Sequence, residues 1–205
     1  MKKMPCLFVR KFHGDGTFTI TEQVTPGCEW ALAGEGVATR KWDGTAVLVK
    51  GGVLYARYDA KKGKTPPTGA IPCTDVPDPV TGHWPHWVLA NRDQDHWIQQ
   101  AHGMCCDVPD GTYEAIGPKI NGNAEGYEQH VLKRHGDART DNRTRTWLRS
   151  FRWIRDFLSG PRATRYADPD REATGPQYWE GIVFHHPDGR MCKIRRDDFG
   201  LPWPL

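Results

Sequence analysis

The chain lacks any run of about 18 apolar residues, which excludes a conventional membrane-spanning helix. Its first residues, MKKMPCLFVRKF, are basic but carry no apolar stretch of the signal-peptide kind, so a cytoplasmic location and no membrane partner are expected. There is no C-x-x-C pair. Cys6, Cys28, Cys73, Cys105, Cys106 and Cys192 follow no regular spacing, which argues against a disulfide framework and for reduced thiols. Internal repeats and low-complexity tracts are missing too. Neither sign of charge dominates: 28 Lys and Arg face 25 Asp and Glu, and a net charge of +3 permits an anionic partner without requiring one. What remains is a globular composition of 38% hydrophobic residues with nine tryptophans, more than a disordered chain would hold. A length of 205 residues suits a single domain over 1–205.

Residues 1–60 read as strands. FVRKF and TFTITEQV are separated by the turn signal HGDGT, and GVATRKW, TAVLVK and VLYARYD are joined by DG and GG. The two glycine turns predict an antiparallel meander through the last three. Residues 61–105 are rich in Pro, Gly and charge and are expected to form an insertion, mostly irregular, with one short helix in DQDHWIQQAHG. Strands return in DGTYEAIGPKI and EQHVLKRHG. The apolar spacing of Trp147, Leu148, Phe151, Ile154, Phe157 and Leu158 predicts one face of a helix over RTWLRSFRWIRDFLSG. GPQYWEGIVFHHPDGRMCKIRRDDF predicts a hairpin turned at PDG. The class is α+β.

Chemistry gathers in four stretches. K-x-D-G spans Lys41 to Gly44, just ahead of an apolar run. Glu114 sits mid-strand in YEAIGPKINGN, and Glu180 opens the apolar EGIVF. Lys193 and Arg195 share one face of the last strand, because side chains alternate with period two. Charges inside otherwise apolar strands are costly unless paired or used. Alone, each stretch has a bland reading as a solvated strand end.

In this order, with Arg57 on the strand after the next turn, they resemble the covalent nucleotidyltransferase superfamily: ATP-dependent RNA and DNA ligases and mRNA capping enzymes. GPKINGN, HVLKRHG, DPVTGHWPHW and EGIVFHHPDGRMCKIRRDDFG look closest to small RNA-ligase-like proteins. The resemblance implies two antiparallel sheets flanked by helices with the ATP cleft between them. It implies ATP as substrate and Mg2+ or Mn2+ as the metal. Lys41 would be the nucleophile that takes AMP, with Asp43 and Lys193 in the catalytic group. Thr39, Arg40, Gly44, Arg57, Glu114, Lys193 and Arg195 would hold the nucleotide, Glu114 through the ribose. Glu180 would hold the metal. A lysine amine at neutral pH must be deprotonated to attack, and nearby cations or burial favour that. The position that commonly stacks on adenine falls in EQHVLKRHG, with His130 and Leu132 as candidates. Arg195 stands where a lysine is usual. Six residues follow Phe199, so no C-terminal OB-fold is expected.

The implied reaction has three steps: adenylation of the enzyme, transfer of AMP to an RNA 5′-phosphate, and attack by a 3′-hydroxyl. A DNA ligase or a capping-type guanylyltransferase of the same fold, or an RNA-end-binding module without turnover, remain open. Lys61, Lys62 and Lys64 in KKGK and the arginine-rich stretch 139–155 are candidate RNA contacts. Trp84, Trp87 and Trp97 either stack on single-stranded bases or pack under the long loop. The cysteines and histidines between 73 and 106 lack the paired spacing of a zinc site.

Overall fold

The structure is a computed structural model that describes residues 3–79, 81–104, 107–135, 149–160 and 178–205. The described residues fall into two compact units, one built on residues 43–135 and the other on residues 4–42 with the described part of 136–205. Each has its own sheet and its own core.

The unit that holds the chain's beginning and end contains a hairpin of β1 (Phe8–Phe12) and β2 (Phe18–Val24), then helix α1 (Glu29–Ala33) and strand β3 (Val37–Lys41). It is completed by helix α3 (Phe151–Ser159) and strands β10 (Gly181–His185) and β11 (Met191–Arg195). β10 is the middle strand of a three-stranded antiparallel sheet, paired with β11 on one side and β3 on the other. Leu7, Phe8, Trp30, Ile154, Leu158, Trp179 and the inward residues of the sheet form the core.

The unit of residues 43–135 is a six-stranded antiparallel sheet. Its strands are β4 (Thr45–Lys50), β5 (Val53–Ala60), β6 (Ile71–Pro72), β7 (Trp84–Leu89), β8 (Gly111–Ile116) and β9 (Val131–Arg134). Across the sheet the order is β6-β7-β5-β4-β8-β9. Gly51 and Gly52 both take positive φ, which is what a tight two-residue hairpin between β4 and β5 demands. Helix α2 (His96–Gly103) covers one face with Ile98 and Ala101, against Val47, Val49, Leu54, Ala56, Tyr113 and Ala115.

Three expectations from the sequence are corrected. β3 does not continue into a meander with β4 and β5; its partner is β10, and the D-G at 43–44 is the passage from one sheet to the other. Residues 84–89 are not irregular: β7 pairs with β5 along six positions despite Pro85. The last helix starts at Phe151, because the Ser150 hydroxyl accepts from the Trp153 amide and caps it there. Trp147 and Leu148, and much of the stretch 139–155, lie outside the described residues. Among the described residues, no helix is long and apolar enough to cross a membrane, and Cys6, Cys28, Cys73 and Cys192 form no disulfide.

Candidate active site

The register of the three-stranded sheet sets Lys41, Gly181 and Arg195 in one row and Thr39, Val183 and Lys193 in the next. Residues two apart share a face. Lys41, Thr39, Lys193 and Arg195 therefore stand on one face. The other face sends Ala38, Ile182, Phe184, Cys192 and Ile194 into the core. Thr39 donates its hydroxyl to the Val183 carbonyl at 3.2 Å and lies 3.0 Å from His185 Nε2.

Glu180 precedes β10 and is only 7% exposed. Its Oε2 accepts from Lys41 Nζ at 2.5 Å, and Nζ also reaches the Trp42 carbonyl at 3.4 Å. Gly181, the next residue, lets β10 lie close against β11. A Cβ there would sit 2.3 Å from the Ile194 carbonyl oxygen and 3.0 Å from the Arg195 Cα, both backbone atoms that cannot yield cheaply. Burial pulls the Lys193 ammonium below its ordinary value; the charges of Lys41 and Arg195 add to this, and Glu180 opposes it.

Asp198, buried just past β11, fixes the arginines on this side. It accepts from the Arg195 backbone N–H at 2.8 Å and from Arg10 Nη2 of β1 at 2.5 Å. The Arg195 guanidinium also faces Asp197 at 3.3 Å. The hairpin near the start of the chain thus contributes a third cation to the surroundings of Lys193, where Arg10 also lowers the ammonium's value.

In the six-stranded sheet, Ala46 pairs with Glu114 and Glu114 with Lys133, while Leu48 pairs with Tyr55. By alternation, Glu114, Lys133 and Arg57 lie on the face away from α2, with the small Ala46 between strands. Glu114 Oε2 is 2.9 Å from His135 Nε2. Lys133 Nζ lies 5.1 Å from the centre of the Tyr127 ring. Arg57 donates from Nε to Asp59 at 2.7 Å and sits 5.8 Å above the Trp87 ring. The second half of K-x-D-G is pinned in this unit. The Asp43 N–H donates to Glu125 at 2.8 Å, and the Asn121 amide donates to the Asp43 carboxylate at 2.9 Å and to the Gly44 carbonyl at 2.8 Å. A Cβ on Gly44 would stand 2.2 Å from the Ala115 carbonyl oxygen.

Lys41, Glu180, Lys193, Arg195 and Thr39 are thus brought together in one unit, and Glu114 and Arg57 share a face in the other. Three candidates fall elsewhere. Arg40 is on the core side of β3, its guanidinium 4.1 Å above the Trp42 ring and donating to the Tyr178 carbonyl. Leu132 packs into the α2-side core. His130 stacks on Trp97 of α2 at 5.1 Å and accepts from the Lys119 N–H. Neither is on the face of Glu114. Lys61, Lys62 and Lys64 are exposed in the turn after β5.

Sequence reading missed Lys133, Asn121, Arg10 and Asp198. Lys133 was detectable as the alternate-face residue of VLKR; the other three act through partners far away in the chain. Among the described residues, no group of three or more His, Cys, Asp or Glu is placed to hold a metal ion alone. One buried carboxylate beside cations fits instead a hard divalent ion that arrives held mostly by phosphate and water.

No protein-family model matches the chain. It is similar to RNA ligase 1 of Danio rerio, 30% identical over 105 residues that cover 48% of this chain and 27% of that protein. It is also similar to RNA ligase 1 of Rattus norvegicus, 25% identical over 284 aligned residues that cover 100% of this chain and 82% of that protein. These matches support a distant relationship to RNA ligases.

Proposed function

We propose that the protein is an ATP-dependent RNA ligase that carries AMP on Lys41. The observation behind this reading is the face of the three-stranded sheet where Lys41 meets Glu180 at 2.5 Å, with Lys193 and Arg195 alongside. An amine nucleophile, one carboxylate and a row of cations are what nucleotidyl transfer to lysine requires. In the first step a P–N bond forms between Lys41 Nζ and the α-phosphorus of ATP while the bond to pyrophosphate breaks. Lys193 and Arg195 stabilise the negative charge that develops on the leaving pyrophosphate. Glu180 is the residue that would hold Mg2+ or Mn2+, whose chemistry there is to neutralise phosphate charge. Glu114 is assigned to the ribose and Arg57 to the nucleotide or the RNA 5′-phosphate. AMP then passes to a 5′-phosphate end, and a 3′-hydroxyl displaces it.

The distant similarity to RNA ligases favours RNA over the other acceptors of this chemistry. The test is incubation of the protein with a 5′-phosphorylated oligoribonucleotide, ATP and Mg2+. An adenylated 5′ end followed by a joined or circular product supports ligation. A stable lysyl-AMP that never transfers to RNA contradicts it.

A further inference from the structure

The unit of residues 43–135 holds a second feature, which borders the Glu114 face at Arg57. A cleft of about 220 Å³ opens at the edge of the side covered by α2, reaching Ala56 and Ile98 of that core. Its rim is cationic and aromatic: Arg57, Arg92, Lys119 and Trp97, with Thr45 and Asn121 supplying neutral polar atoms.

The pieces differ in how free they are. Arg92 is clamped by Asp95 through two bonds of 2.8 Å, which fixes its guanidinium. Lys119 is exposed and makes no ion pair with the described residues. Trp97 is stacked on His130 with 18° between the rings and still keeps 36% of its surface exposed. His130 is held toward its neutral form, mainly by burial and then by His96, so the stacked pair is an uncharged aromatic platform. An exposed indole backed by a rigid ring, next to an exposed ammonium, matches what a base and its phosphate need. Stacking is tolerant of base identity, and phosphate takes the cation.

We infer that this cleft binds one nucleotide of a single-stranded RNA, its base on Trp97 and its phosphate at Lys119. What the strand is doing there rests on the ligase reading; the binding itself does not. The side chains of Trp97 and Lys119 belong to neither the Lys41 group nor the Glu114 face, so adenylation is expected to proceed without them.

The test is fluorescence anisotropy with a labelled, 5′-phosphorylated single-stranded oligoribonucleotide on the full chain, for wild type, Trp97→Leu, Trp97→Phe and Lys119→Ala. Self-adenylation by ATP is measured on each protein in parallel. Trp97→Leu is expected to weaken RNA binding about tenfold, with Trp97→Phe recovering part of the loss. Lys119→Ala, an exposed change that the fold tolerates, should make the salt slope shallower by about 0.7. Lysyl-AMP yield should stay at the wild-type level in all of them. Wild-type RNA affinity and salt slope in both Trp97→Leu and Lys119→Ala would overturn the inference. So would competition between ATP and RNA that disappears in these variants, because the cleft would then be a nucleotide site. If no protein forms lysyl-AMP but the binding losses appear, the cleft assignment holds and the ligase reading falls.

Discussion

Lys41 Nζ lies 2.5 Å from Glu180 Oε2, because the antiparallel register sets Gly181 opposite Lys41 and brings the preceding carboxylate within reach. The proposed nucleophile and the proposed metal ligand are thus partners of each other. Glu180→Gln keeps the shape and removes the charge. It should slow lysyl-AMP formation by about 10²-fold and lose the dependence on Mg2+ concentration. An unchanged metal titration would remove Glu180 from its role.

Lys193 provides a pH test. Its ammonium titrates below the ordinary value of 10.5 in the folded protein, chiefly through burial. Between the folded and unfolded values, the unfolded chain binds more protons, so stability rises with pH across that window. Below it, the charged lysine is a net cost to the fold. Lys193→Met should therefore raise the melting temperature at pH 7, and the gain over wild type should shrink as the pH approaches the unfolded value. The same variant should fail to form lysyl-AMP. A melting temperature that drops equally at all pH values would contradict this account.

Gly181→Ala tests the packing that delivers Glu180. The new methyl would meet the Ile194 carbonyl oxygen at 2.3 Å, so β10 and β11 must separate. A loss of about 1–3 kcal/mol is expected in urea unfolding, together with a fall in adenylation larger than that loss explains. Full activity at reduced stability would show that the position of Glu180 tolerates the shift.

Lys61, Lys62 and Lys64 are exposed in one turn. If they touch the RNA backbone, replacing all three by Ala should lower affinity in low salt and reduce the salt slope by up to about two. Thermal stability should not change. Identical salt slopes would leave this turn outside the RNA contact.

The residues whose neighbours are one strand away were legible in the sequence. Period-two alternation put Lys193 and Arg195 together, and the PDG turn placed them opposite EGIVF, which is how β10 and β11 pair. The partner of β3 was not legible. A D-G dipeptide reads the same whether it closes a hairpin or carries the chain to another sheet, and only the long-range pairing of β3 with β10 distinguishes them. β7 was hidden for a related reason. Pro85 and His86 mask its alternation, and only the pairing with β5 makes it a strand. His130 and Leu132 stand off the face of Glu114, which the sequence did not reveal, because a motif locates a stretch whereas the face a residue occupies depends on register. Arg10 and Asp198 are 188 positions apart, so neither carries a local sign of the other.

The central claim is that Lys41 becomes covalently bound to AMP. The direct measurement is the intact mass of the protein after incubation with each nucleoside triphosphate and Mg2+, for wild type and Lys41→Ala. A gain of one AMP with ATP alone is expected, absent from the variant, whose melting curve should still be that of a folded protein. A gain of GMP, a gain that survives in Lys41→Ala, or no gain with any nucleotide would contradict it.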